Sequence, residues 1–115
     1  MSTAREPLVW LVFTKPVEGR EEEFDRWYDE VHLPDVVAVP GVRSAQRYVL
    51  GPERRPEGVQ PEHRHLAVYE IDGDPAEVFP EIARRIDSGE MKLSDALDRP
   101  ASWQTVWHPH GPRLS

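Results

Sequence analysis

Two short runs, "LVWLVFT" at residues 8–14 and "LAVYEI" at 66–71, constrain this chain more than anything else in it. Each is almost continuously apolar and rich in β-branched or aromatic residues. Each is too short for a buried helix and lacks the alternation of a strand with one wet face. Both read as strands buried front and back, as at the centre of a sheet. Two more polar stretches, "VRSAQRYVL" at 42–50 and "ASWQTVWH" at 101–108, read as further strands.

Helical patterns lie between them. From Gly19 to His32, Phe24, Tyr28 and Val31, joined by Trp27 and His32, recur at three- and four-residue spacing. Glu22, Asp25, Arg26, Asp29 and Glu30 take the opposite, solvated face. Glutamates at 21–23 suit the positive end of the helix dipole. Pro34 is expected to end this helix or kink it into a short extra turn, "PDVVAV", before the Pro40-Gly41 turn. A second helix begins at Asp74-Pro75-Ala76-Glu77, with an N-cap, a proline at the first position and a glutamate placed to close a capping box. Val78, Phe79, Ile82 and Ile86 form its inner stripe; Pro80 is expected to kink it and "SGE" to end it. "LSDALD" at 93–98 reads as one short extra turn, and 51–63, rich in proline, glycine and charge, as an exposed hairpin loop.

The order is β-α-β-β-α-β, an α+β, ferredoxin-like pattern in which one four-stranded antiparallel sheet carries both helices on one face. Right-handed crossovers then place the first and third strands, the two most apolar, at the centre. The helix-free face would be apolar and bare, which normally marks an interface, so a homodimer joined sheet to sheet is expected. A hydrophobic fraction of 38% points the same way. At 115 residues the chain is expected to be a single domain, 1–115.

A net charge of −7 leaves no basic footprint, so neither nucleic acid nor an anionic membrane is an expected partner. The pairs Arg54-Arg55 and Arg84-Arg85 sit among acids and read as solvated surface. Without cysteine there is no disulfide, thiolate nucleophile or Cys-ligated zinc. No signal peptide is expected from "MSTAREPLVWLVFTK", and no run reaches transmembrane length; a cytoplasmic protein is expected.

The candidate chemistry gathers around "WYDEVHLPD" at 27–35. Tyr28 and His32, four apart, share a helix side, and an imidazole titrates near neutral pH, which suits proton transfer. His32 could equally be a cation at a helix C-terminus. Asp35 could orient the imidazole or cap the turn begun by Pro34. Tyr48 and Tyr69 could point phenols into a pocket between sheet and helices or serve as amphipathic wall. Arg47 could neutralise an anionic substrate or snorkel. Trp103 and Trp107 share a strand face and could floor a pocket or fill a dimer interface. His63/His65 and His108/His110 have the spacing of a metal pair, but no acidic residue is evidently placed with them, and no metal site is expected.

"FDRWYDEVHLPDVVAVPGVRSAQRY", residues 24–48, resembles the EthD-like and stress-responsive branches of the dimeric α+β barrel superfamily. There a helix ending W-Y-x-x-x-H-x-P leads through a "PGV" turn into the second strand. The tail "HPHGPRLS" also looks like the I-G-P-R ending of such proteins, with His110 at the isoleucine-like position. The resemblance implies a homodimer whose sheets form a barrel, with His32 as the helix-terminal histidine and Trp27 and Tyr28 as its pocket neighbours. A haem-ligand histidine on the second helix is missing, so no cofactor is expected. The implied activity is a cofactor-independent acid–base cyclisation, isomerisation or dehydration of a hydrophobic aromatic or polyketide-like molecule. In that reaction His32 moves a proton, assisted by Tyr28 or Asp35, while Trp27, Arg47, Tyr48, Tyr69, Trp103 and Trp107 shape the pocket. Cofactor-free monooxygenation and non-catalytic binding of a hydrophobic metabolite are the alternatives.

Overall fold

In the computed structural model, residues 6–54, 57–58 and 60–115 are described; Arg55 of the first arginine pair, and Pro56 and Val59 of the expected hairpin loop, lie outside them. The elements are β1 (Leu8–Thr14), α1 (Glu21–Trp27), a π-turn (Tyr28–His32), α2 (Leu33–Val37), β2 (Val42–Val49), β3 (His65–Ile71), α3 (Pro75–Ser88), a 3₁₀ turn (Arg99–Ala101) and β4 (Trp103–Trp107). The strands lie in the order β2-β3-β1-β4, each neighbouring pair antiparallel. The α+β, ferredoxin-like fold is thus observed, with the two most apolar strands in the middle.

Register separates the two faces. Trp10 pairs with Tyr69 and Val106, and Val12 pairs with Ala67 and Gln104. Trp10, Ala67, Tyr69 and Ile71 form one buried core with Phe24, Tyr28, Val36, Val78 and Ile82 from the helices. Because side chains alternate along a strand, the opposite face carries the rows Tyr48–Leu66–Phe13–Trp103 and Gln46–Val68–Leu11–Thr105. No helix residue joins those rows. Tyr48, Trp103 and Trp107 on that face are about half exposed, at 53%, 48% and 57%. Trp103 stacks on Phe13 with ring centroids 4.2 Å apart.

Three local expectations gain detail. Of the two outcomes expected at Pro34, the second is observed: the helical run passes through the π-turn into the short α2, which continues to Val37. A proline ring collides with the carbonyl four residues back and offers no N–H; the π-turn, in which Leu33 N–H donates to Tyr28 O, adds the extra residue that accommodates it. α3 is capped by Asp74, whose carboxylate accepts from Ala76 N–H at 2.9 Å, and runs through Pro80 to Ser88 before Gly89 turns left-handed at φ 84°. "LSDALD" makes the short extra turn expected of it, with Leu97 N–H donating to Ser94 O at 3.1 Å. Ser94 Oγ also accepts from Ala96 N–H at 3.0 Å, and Leu97 bridges to Pro16, which ties the turn to the end of β1.

The turn between α2 and β2 packs against the turn that opens α3, through glycine on both sides. Gly41 has φ +96°, and a Cβ there would lie 2.5 Å from Val78 Cγ2 and 3.2 Å from Gly73 Cα. Gly19 has φ +86° but open space around it. Gly41→Ala should therefore cost about 2–4 kcal/mol in denaturant unfolding, whereas Gly19→Ala, carrying only the backbone penalty, should cost about 1 kcal/mol. Equal losses at the two sites would remove the packing argument.

Candidate functional site

Between the helix face of the sheet and the helices lies a cavity of about 520 Å³. Trp10, Val12 and Thr14 of β1 and Tyr69 of β3 line it from the sheet; Phe79, Ile82 and Ile86 of α3 line it from above. Trp27, Tyr28 and His32 line it from the first helical run, and the stretch Leu97–Gln104 borders it beside β4. Apolar walls with a few convergent polar groups are the usual make-up of a small-molecule site.

The π-turn builds the histidine end. In a regular α-helix, positions five apart lie about 140° apart around the axis. The widened turn brings Trp27 and His32 together, stacked with ring centroids 4.6 Å apart and planes 24° apart. Tyr28 meets the same imidazole edge-on at 5.2 Å. Trp27 Nε1–H donates to Lys92 O at 3.0 Å, which ties the indole in place.

Burial sets the proton affinities. His32 is pushed down to about 4 by desolvation, so it is neutral at physiological pH, and its Nδ1 is buried without a hydrogen-bond partner. Burial pushes the Tyr28 phenol up, opposed by the nearby Tyr69 and Thr14 hydroxyls, and pushes Tyr69 well above the tyrosine range. Both phenols are neutral O–H donors at pH 7. The three hydroxyls sit close enough to perturb one another, yet Tyr69 Oη and Thr14 Oγ1 make no well-formed hydrogen bond. Among the described residues, four buried side-chain polar atoms lack a partner: Thr14 Oγ1, His32 Nδ1, Tyr69 Oη and Arg47 Nε. The first three belong to residues that line this cavity. Leaving such atoms unpaired is expensive, and three of the four belonging to one cavity's lining makes that cavity the candidate site.

The other expected site residues fall elsewhere. Arg47 does not line the cavity. It donates to Asp25 and Asp29 at 2.9 Å each, and its guanidinium lies over the Tyr28 ring, 4.7 Å from the centroid. It braces the phenol from behind. Asp35 sits in the first turn of α2 and makes no side-chain cap there. Tyr48 and Trp107 lie on the helix-free face, and the Trp103 ring stacks there on Phe13 while its strand position borders the cavity. His63 contacts Ala101 O and accepts from Trp103 Nε1–H, and His65 contacts Arg47; among the described residues no group of three metal-ligating side chains forms. Thr14 and Gln104 are cavity residues that the sequence did not single out. A polar residue ending an apolar strand was the available signal for Thr14; Gln104, which accepts from Trp10 Nε1–H, had none.

No protein-family model and no curated protein sequence matches the chain. Among solved structures it is similar to the crystal structure of an ethyl tert-butyl ether D (EthD) family protein from Bacillus halodurans. The TM-score is 0.59 at 17% identity, over 90% of this chain and 99% of that one. The chain has an EthD-like fold. At this identity the likeness concerns architecture, which agrees with the element order and sheet topology. No helix among the described residues is long and apolar enough to cross a membrane.

The buried neutral imidazole has a measurable signature. The unfolded chain takes up a proton at His32 near pH ~6.5, while the native chain resists until about 4. Native stability should therefore fall as pH drops across that window, by up to roughly 3 kcal/mol, and flatten below it. In His32→Gln the slope of unfolding free energy against pH between ~6.5 and ~4 should shrink by about that of one proton. An unchanged slope would show that the imidazole titrates normally.

Proposed function

We propose that the chain is a small cofactor-independent enzyme that cyclises, isomerises or dehydrates a hydrophobic aromatic or polyketide-like molecule by proton transfer at His32. The observation that supports this reading is that three residues lining one apolar-walled cavity, His32, Tyr69 and Thr14, each carry a buried polar atom without a hydrogen-bond partner. His32, neutral and stacked on Trp27, serves as general base toward an acidic C–H or O–H of the substrate. Tyr28 and Tyr69, kept protonated by burial, donate hydrogen bonds to the oxygen on which negative charge develops. Arg47, over the Tyr28 ring, makes that phenol a more acidic donor. The similarity to an EthD family protein supports the fold within which such a site is built, and the reaction itself rests on the cavity's chemistry.

Removing the base should lower turnover of an accepted substrate about 10²–10⁴-fold in His32→Ala, with the fold intact by circular dichroism. The acid limb of kcat/KM should fall near pH 4, where the buried imidazole takes its proton, and not near ~6.5. If His32→Ala binds the ligand and nothing is converted by either protein, the site is a binding pocket for a hydrophobic metabolite.

The working unit in this proposal is a homodimer formed through the helix-free face. That face presents Leu11, Phe13, Leu66 and Val68 at its centre and the half-exposed Tyr48, Trp103 and Trp107 at its edges. A second copy is an apolar surface of matching extent, and its sheet would close a barrel. Light scattering at micromolar concentration should give twice the chain mass, and Leu11→Arg should give a folded monomer. A wild-type monomer at that concentration would discard the dimer.

A further inference from the structure

The cavity is unusually one-sided in charge. The chain carries 21 acidic and 14 basic residues, yet no aspartate or glutamate lines this cavity, while one arginine, Arg99, does. Arg99 is exposed at the rim, on the 3₁₀ turn that leads into β4. The turn is fixed by Asp98 N–H donating to Lys15 O at 2.9 Å and Ala101 N–H donating to Asp98 O at 3.2 Å. Arg20, Arg47, Arg84, Arg85 and Arg113 pair with carboxylates of the chain itself, whereas Arg26, Arg43, Arg54 and Arg64, none of which lines the cavity, form no ion pair among the described residues. Among the described residues Arg99 forms no ion pair and no side-chain hydrogen bond, not even with its neighbour Asp98.

We infer that the ligand of this cavity is a hydrophobic carboxylic acid, its carboxylate seated on Arg99 at the rim and its apolar body inside. This rests on reading the cavity as the substrate site. A guanidinium presents a planar fork that matches a carboxylate with two parallel hydrogen bonds. A phosphate would bring a second negative charge, and neither another lining cation nor the surrounding surface, at net −7, would offset it. The same net charge repels anions in general, so discrimination in favour of an acid requires a local cation, and Arg99 is the one that borders the apolar walls. His32, neutral at physiological pH, would not compete for the anion.

A matched probe pair tests this: 6-phenylhexanoate and 6-phenylhexanamide, titrated at low ionic strength and followed by the indole N–H resonances of Trp10 and Trp27. The full chain should bind the carboxylate about threefold to tenfold more tightly, and the preference should shrink in about 0.5 M salt. Arg99→Gln should abolish the preference and leave amide affinity unchanged, and Arg99→Lys should keep part of it. Arg43→Gln, which removes the same charge from an exposed position off the cavity, should leave it intact. Equal binding of both probes by the wild type, or a preference that survives Arg99→Gln or falls equally in Arg43→Gln, overturns the assignment of Arg99 while the cavity reading stands. Binding of neither probe overturns both together.

Discussion

The antiparallel register between β1 and β3 decides which side chains meet the helices and which meet the outside. With Trp10 opposite Tyr69, the two rings lie 4.6 Å apart on the helix side, and Thr14 follows two pleats along. The intervening Leu11 and Phe13 are thereby committed to the other face. A slip of one residue would exchange the two sets: the cavity would lose Trp10 and Thr14, and the apolar rows of the helix-free face would turn inward. The cavity and the proposed interface are therefore two consequences of one ladder. The apolar character of both central strands is what makes that ladder serve two surfaces at once.

Against this sheet the first helical run could not be regular. Pro34 has no N–H and needs room opposite the carbonyl of Glu30, and the π-turn over Tyr28–His32 supplies it. The extra residue also rotates His32 onto the side of Trp27, where the two rings stack, while Tyr28 keeps its edge-on contact. A backbone adjustment that relieves a steric conflict thus doubles as the device that holds an imidazole between two aromatic rings. Desolvation by that packing is what lowers its proton affinity.

This division explains what could be read in the amino-acid sequence. Strand order was legible because burial on both faces leaves a continuous apolar run, and Leu8–Thr14 and Leu66–Ile71 have one. The start of α3 was legible because Asp74 caps by a local hydrogen bond. His32, Tyr28 and Trp27 were named together, but the geometry that unites them was not, since α-helical spacing sets Trp27 away from His32. Arg47 looked like a ligand for an anionic substrate because its partners, Asp25 and Asp29, lie on α1 and not on its own strand. Arg99 escaped notice for the reverse reason: nothing in "LDRPAS" marks an arginine whose neighbours in space are apolar. Pairings across elements depend on tertiary packing, and no local pattern encodes them.

The charge inventory of the cavity also restricts the chemistry it can support. No carboxylate stands beside His32 to stabilise an imidazolium, and the phenols of Tyr28 and Tyr69 are held neutral. A proton arriving at His32 is costly unless a negative charge appears nearby at the same moment. An enolate or phenolate formed by the same proton transfer would be that charge, so the reacting pair stays neutral overall while base and substrate change protonation together. In such a site the weak basicity of the buried imidazole is no handicap, because its affinity for the proton rises as the substrate oxygen becomes anionic. The hydroxyls of Tyr28, Tyr69 and Thr14 then have a partner that exists fully only as the proton moves. Hydrogen bonding that strengthens along the reaction coordinate lowers the barrier more than it tightens ground-state binding.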